Sequence, residues 1–319
     1  MNLLVFLRKN DIKFERNISL SKFTGIIHEG KISLIAKPDS ISKLIVLCKY
    51  VLEEKLTFEI VGNLTNTYLC SGIKRDIFIQ TTLVKDYRIN QDNTLTVGCG
   101  YNLTKLSKAL SLEGIGGYAG FVGIPGTVGG AAINNSGAFD SCMSNVVRYV
   151  TIISSNGEIQ EIYNDELHYS TRNSILKNNK FGMLISVTLN TSPVVNPSLT
   201  LQKIKIYSLI RKTSIDGNRK SLGSIIVGHT LSYIWQEHRL ANFFRRILYF
   251  PFKYTRWRKR AQCFSEFFVL GGMRFIKHCD NLGRFCWDED TKEEDFLDYI
   301  DFIVNKSNNK IQIEIEIKK

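Results

Sequence analysis

The chain has 319 residues and a mass of 36.4 kDa, the length of one large domain or two ordinary ones. It is 44% hydrophobic and 23% charged, with 23 glycines and 5 prolines, which supports a sizeable core and excludes disordered, collagen-like and low-complexity chains. The formal charge of +12 is local: Arg239, Arg245, Arg246, Lys253, Arg256, Arg258, Lys259 and Arg260 supply eight positive charges between His238 and Arg260 without one acid. The remainder carries only about +4, so a nucleic-acid partner is not expected.

The N-terminal MNLLVFLRKNDIKFE has an apolar stretch too short for a secretory leader. No run approaches the 18 apolar residues of a spanning helix, and a cytoplasmic location is expected. Lys31–Lys37 (KISLIAK) reads as a strand. Asp39 or Ser40 then caps a helix with Ile41, Leu44, Ile45, Cys48, Val51 and Leu52 on one face. Leu56–Val61 is a second strand, running into Gly62-Asn63. Leu95–Val97 is a third, followed by Gly98-Cys99-Gly100 and a helix carrying Leu103, Leu106, Ala109 and Leu110.

From Gly114 to Gly137 the chain holds nine glycines in 24 residues, so regular structure is poor and the backbone can approach a ligand closely. Asn156-Gly157 between Tyr149–Ser154 and Glu158–Tyr163 is a hairpin signal. Asn190–Ser198, with two prolines, is the expected domain boundary. Further on come a Gly223-Ser224 turn and the basic segment. Thr291 and Glu294 then form a capping-box pattern before a stripe of Phe296, Leu297, Ile300, Ile303 and Val304. Alternation predicts a last strand over Ile311–Lys318, with Ile311, Ile313, Ile315 and Ile317 on one face.

Seven cysteines (Cys48, Cys70, Cys99, Cys142, Cys263, Cys279 and Cys286) and no C-x-x-C indicate neither a disulfide framework nor a metal site. The run Gly123–Gly130 has glycines for positive φ and backbone amides able to cradle a pyrophosphate. It ends in no Walker G-K-[ST] and opens no Rossmann G-x-G-x-x-G helix. Gly62-Asn63-Leu64-Thr65-Asn66, directly after a strand, is a second such turn.

Gly62–Asn66, Gly98-x-Gly100 and GIPGTVGGAAINNSG (Gly123–Gly137) together resemble the UDP-N-acetylenolpyruvoylglucosamine reductase (UDP-N-acetylmuramate dehydrogenase) family, over roughly Ile18 to Lys319. The resemblance implies an α+β chain. Residues 1–191 would be a two-part FAD-binding domain of the vanillyl-alcohol-oxidase (PCMH) type, with subdomains of about 1–82 and 83–191. Residues 192–319 would form a smaller α+β substrate domain. FAD would be held non-covalently by Gly62, Asn63, Leu64, Thr65, Asn66, Gly123, Ile124, Pro125, Gly126, Thr127, Gly129, Gly130 and Ala131, and NADPH would be the co-substrate.

By the same resemblance Arg172 falls on the arginine of a Tyr-Arg-x-Ser motif, Ser224 on the proton-donating serine, and Glu316 on the second glutamate of a Leu-Glu-Pro-Glu-Val ending. The implied reaction reduces the enolpyruvyl group of UDP-N-acetylglucosamine enolpyruvate to UDP-N-acetylmuramate, a peptidoglycan precursor. Hydride delivered to the β-carbon places negative charge on the α-carbon and carboxylate. A fixed arginine neutralises that charge, a hydroxyl returns a proton, and a protonated glutamate polarises the carboxylate further. The sequence departs from the family pattern at Thr171, which replaces the tyrosine. It departs again at Val227-Gly228-His229, which replace a lysine and asparagine-proline.

Two other functions fit the same residues: a paralogous flavoenzyme acting on another sugar or cell-surface polysaccharide intermediate, and a non-catalytic scaffolding member. The segment 239–260 admits three readings. It is a basic amphipathic helix at the inner membrane surface, a helix packed on the protein with a solvated rim, or a site for the substrate's diphosphate.

Overall fold

The alternation in KISLIAK is realised as a strand, Lys31–Lys37, with Ile32, Leu34, Ile35 and Ala36 buried. Ser40 turns the chain into the helix Ile41–Glu53, its hydroxyl accepting the Lys43 amide at 3.3 Å. Leu44, Leu47, Cys48 and Val51 lie on the buried face of that helix. The helix returns the chain to a strand, Phe58–Val61. Ile77–Gln80 runs parallel to both strands, with Ile35 opposite Phe78 and Ile60 opposite Ile79, a pairing that requires such a crossover. The sheet order is Lys13–Ser19, Lys31–Lys37, Ile77–Gln80, Phe58–Val61. The structure, a computed structural model, describes residues 2–26, 29–178, 182–192, 194–214 and 219–319.

An antiparallel sheet runs in the order Ile159–Tyr163, Val147–Ile153, Met183–Asn190, Thr94–Gly98, Tyr87–Ile89. Its first hairpin closes at the expected Asn156-Gly157 turn, with Gly157 at φ +85° and its amide donating to the Ser154 carbonyl at 2.9 Å. The strand Met183–Asn190 is buried from Met183 to Leu189, and the helices Ile41–Glu53 and Val128–Ile133 both pack on it. With both faces covered, Ser186 and Thr188 are buried along with the apolar residues of the strand.

These sheets belong to the first of two units, made of Met1–Ile18, Ile32–Asn63 and Lys74–Asp216. The helix Pro197–Ser214, which follows the proline-bearing segment, also lies in this unit. The second unit comprises Ser19–Lys31, Leu64–Ile73 and Gly217–Lys319. Its core is aromatic: Tyr68, Phe267, Phe285, Phe296 and Tyr299 are almost wholly buried, and the Tyr299 hydroxyl donates to the Leu282 carbonyl at 2.5 Å.

Two local expectations are corrected here. The helix beginning at Glu293 is closed by Asp295, whose carboxylate accepts the Lys292 amide at 3.0 Å. Thr291 instead donates to Asp288 at 2.6 Å, so the Thr291–Glu294 box does not form. The stripe behind it does: Phe296, Ile300 and Ile303 are buried, together with Tyr299. The last strand is confined to Glu316–Lys318, parallel to Thr67–Leu69. Upstream of it, Ile313 makes a single bridge to Ile226. Ile311 and Ile315 are buried while Ile313 and Ile317 are half-buried, because the segment changes partner midway.

Candidate functional site

In the first unit the Gly123–Gly130 run is stitched to the chain after the Thr94–Gly98 strand. The Leu103 amide donates to the Gly126 carbonyl at 3.2 Å, Val128 to Tyr101 at 2.8 Å, and Gly129 to Cys99 at 2.8 Å. Gly126 has φ +122°, a conformation that excludes other residues without strain. Gly129 serves close packing instead, since a Cβ there would stand 2.7 Å from the Cys99 Cβ. Thr127 caps the short helix Val128–Ile133 by accepting the Gly130 amide at 3.2 Å.

The amides of Gly126 and Thr127 have no acceptor among the described residues, and neither do those of Asn63 and Leu64. Gly62 approaches the same run: a Cβ on it would lie 3.0 Å from the Thr127 hydroxyl. The other residues named for this role, Ile124, Pro125 and Ala131, lie along the run. Ile124 is tied by its amide to Phe121 at 3.0 Å and Ala131 by its amide to Thr127 at 3.0 Å.

Arg172 sits in the tight turn Ser170–Asn173, whose end residues exchange backbone hydrogen bonds at 3.1 and 3.2 Å. Its own φ is +54°, an unfavourable backbone for arginine that the turn imposes. Two bonds anchor the turn to the end of the glycine-run helix. The Asn135 side chain donates to the Ser170 carbonyl at 2.9 Å, and the buried Ser174 hydroxyl donates to the Ile133 carbonyl at 2.7 Å. The Arg172 turn is thus hydrogen-bonded to the chain that ends the glycine run.

Arg211, not singled out by the sequence, is the neighbour of Arg172. Burial first, and the Arg172 charge second, hold its guanidinium below the usual arginine range. It lies over the Phe139 ring at 5.4 Å, and its Cδ stands 2.9 Å from where a Gly123 Cβ would be. Its buried Nε has no protein partner among the described residues, nor do Asn134 Oδ1 and the Tyr169 hydroxyl. A half-buried arginine charge whose Nε is left without a partner is costly unless a hydrogen-bonding group meets it. Nothing local in the sequence separates Arg211 from the adjacent Lys212.

In the second unit, Ser224 is exposed and its hydroxyl donates to the Ile226 carbonyl at 2.8 Å. Its segment is bonded to the one that leads to Glu316: Glu314 donates to Ile225 at 2.7 Å and Val227 to Gln312 at 3.0 Å. Glu316 is half-buried and its carboxylate pairs with Lys318 at 2.6 Å. Asn66 fixes this corner, its side chain donating to the Glu314 carbonyl at 3.0 Å and its own carbonyl accepting the Glu316 amide at 3.1 Å. Ser224 and Glu316 thus occupy neighbouring hydrogen-bonded segments of one unit. Arg172 and Arg211 belong to the other unit, as do Gly62 and Asn63, whereas Leu64, Thr65 and Asn66 fall in the second.

Residues 32–163 match the FAD binding domain family. The UDP-N-acetylenolpyruvoylglucosamine reductase of Prochlorococcus marinus is 32% identical over 172 residues, which cover 54% of this chain and 59% of that protein. The enzyme of the same name from Anoxybacillus flavithermus is 30% identical over 221 residues, 69% of this chain and 72% of its own. The crystal structure of UDP-N-acetylenolpyruvylglucosamine reductase from Thermus caldophilus superposes with a TM-score of 0.68 at 19% identity, covering 97% of this chain and all of that one. The α+β architecture with a FAD-binding domain, expected from the glycine motifs, is the architecture found. With the fold, the domain and a relative matched over most of its length in agreement, the chain belongs to the UDP-N-acetylenolpyruvoylglucosamine reductase family.

Proposed function

We propose that the protein is an FAD-dependent reductase that uses NADPH to convert UDP-N-acetylglucosamine enolpyruvate to UDP-N-acetylmuramate. The residues present fit FAD. Among the described residues, four backbone amides of the two glycine turns lack acceptors, and the buried Arg211 Nε, Asn134 Oδ1 and Tyr169 hydroxyl are among the first unit's polar side-chain atoms without a partner. The turns suit a diphosphate, and the buried polar atoms suit a polar ring system. When held by these turns, FAD would supply hydride chemistry toward the β-carbon of the enol ether, with NADPH as its reductant.

This chain's own residues handle the charge and the proton. Arg172 and Arg211 hold the substrate carboxylate, on which negative charge accumulates as the hydride arrives, since donors fixed in advance need no reorganisation. Ser224 leaves its bond to the Ile226 carbonyl and gives its hydroxyl proton to the α-carbon, completing the addition of hydride and proton. Glu316, held by Lys318 and by the Asn66 corner, is assigned to the reaction by the motif it matches. The boundary near residue 191, with the FAD-binding domain before it and the C-terminal substrate domain after it, forms part of this reading.

The observation that carries the proposal is the Arg172–Arg211 pair beside the glycine run. The test is anaerobic. FAD-loaded protein is reduced with NADPH, the enolpyruvyl nucleotide is added, and flavin absorbance is followed. Rapid return of the oxidised spectrum with formation of UDP-N-acetylmuramate is the expected result. Reduction without reoxidation would overturn the substrate and leave a flavoenzyme of another sugar.

A further inference from the structure

The helix Arg239–Tyr249 is turned the wrong way round for a helix packed on a protein. Its apolar stripe, Leu240, Phe243, Phe244 and Ile247, is 77%, 60%, 55% and 51% exposed, and no residue of the helix is buried. The side facing the protein is the polar one. There Arg245 lies over the Trp235 ring at 4.4 Å, contacts the buried Glu266 at 3.6 Å and bonds Asn242 at 2.9 Å. The chain continues through exposed Phe250, Tyr254 and Trp257, and the next helix, Arg258–Leu270, adds exposed Phe264 and Phe268 stacked at 5.6 Å.

Charge identifies the cover. Arg239, Arg246, Lys253, Arg256, Arg258, Lys259 and Arg260 are all exposed, and no acid occurs in 239–260. A two-fold contact with a second copy would set this cationic surface against itself. An anionic bilayer offers what the surface lacks, an apolar layer beneath a dense sheet of phosphates, and aromatic and basic residues are the side chains that settle at that boundary. At one flank of the stripe a cleft of about 390 Å³, lined by Trp235, Arg239, Asn242, Arg245 and Arg246, has the size and charge for a lipid headgroup phosphate.

We propose that this face of the second unit docks on an anionic lipid bilayer. Leu240, Phe243, Phe244 and Ile247 enter the headgroup–acyl boundary while the seven exposed cations contact lipid phosphates. No helix among the described residues is long and apolar enough to cross a membrane, so the attachment is peripheral. The surface is independent of the reductase reading.

The test is sedimentation of the full FAD-loaded chain with vesicles of phosphatidylcholine alone and of phosphatidylcholine with phosphatidylglycerol. Binding should favour the anionic vesicles by at least about tenfold and weaken as salt is raised. Phe243→Asp with Ile247→Asp, and separately Arg256→Gln with Arg258→Gln, should each lower it by about tenfold. These side chains are exposed, so flavin spectra and near-ultraviolet dichroism should not change.

Equal binding to both vesicles would overturn the proposal. Binding that falls only in the charge variant would reduce it to non-specific attraction and overturn insertion of the stripe. Self-association without lipid, abolished by Phe243→Asp, would assign the face to a second copy instead.

Discussion

Gly62 and Thr127 stand so close that a Cβ on the glycine would lie 3.0 Å from the threonine hydroxyl. The turn after the Phe58–Val61 strand is therefore seated against the residue that caps the glycine-run helix. Thr127 is not idle there, because its hydroxyl accepts the Gly130 amide. A methyl at position 62 forces it off that amide or shifts the strand end. Gly62→Ala should lose about 1 kcal/mol, the worth of a cap, and Thr127→Ala a similar amount. The double variant, with the space restored, should lose less than the sum by about 0.5 kcal/mol or more. Urea unfolding of the four proteins measures this, and strict additivity would refute the contact.

Gly129 and Gly130 are adjacent yet should respond in opposite ways. A Cβ at 129 meets the Cys99 Cβ at 2.7 Å and its carbonyl at 2.8 Å, whereas one at 130 meets only the Thr127 hydroxyl at 3.4 Å. Gly129→Ala should cost about 1–3 kcal/mol by overpacking. Gly130→Ala, on an exposed helical position, should be neutral or stabilising by up to about 1 kcal/mol. Thermal melts of the apoprotein separate the two.

Arg211 gives a prediction in which binding and stability diverge. Its charge is half-buried, next to Arg172, and its Nε is unsatisfied. Removing the charge with Arg211→Met relieves desolvation and repulsion, so the melting temperature should hold or rise. If the pair holds the substrate carboxylate, loss of a charged hydrogen bond of about 1.5–3 kcal/mol should raise KM for the enolpyruvyl nucleotide about tenfold or more. An unchanged KM with a lowered melting temperature would make Arg211 a structural residue.

Much of the first unit was readable because its signals are local. The Asn156-Gly157 hairpin, the capped helix Ile41–Glu53 and the glycine run each follow from neighbouring residues. The second unit is a mosaic that no window of sequence reveals. Tyr68 becomes a core residue only because Leu64–Ile73 joins the C-terminal third, where its hydroxyl reaches Glu293 at 3.1 Å. The same long-range pairing splits the terminal isoleucine strand between Ile226 and Thr67–Leu69. Ser224 and Glu316 are proposed from motif alone. Arg211 was missed because its distinction is burial, which its helix does not advertise.

Ser224→Ala should separate the two half-reactions. Ser224 is exposed and its hydroxyl bonds the Ile226 carbonyl, so stability should change by less than about 1 kcal/mol. Reduction by NADPH, which needs no proton from Ser224, should keep its rate. Reoxidation by the enolpyruvyl nucleotide should slow by about 10²–10⁴. Stopped-flow absorbance resolves both steps, and equal slowing of the two would remove Ser224 from the proton-donor role.

His278 sets a pH dependence of stability in the second unit. The ring is 1% exposed, stacks on Phe285 at 5.4 Å, and reaches the Thr291 hydroxyl at 3.1 Å through Nδ1. Asp288 at 3.9 Å and Asp295 at 3.8 Å favour its protonation. Burial, supported by the Lys277 and Arg219 charges, outweighs them and lowers its pKa below the ordinary histidine range. The folded chain therefore binds fewer protons here than the unfolded chain, and stability rises with pH through this window. The contribution is complete above the unfolded value of about 6.5. It is lost as pH falls from there through the folded pKa, with a limiting slope of about 1.4 kcal/mol per pH unit. Glu266, whose carboxyl burial pushes upward, tilts stability the opposite way, so the wild-type slope alone does not isolate the histidine. His278→Gln does: its urea midpoint should vary less between about pH 7.5 and pH 5.5 than the wild-type midpoint. Identical slopes in the two proteins would place the acid sensitivity elsewhere.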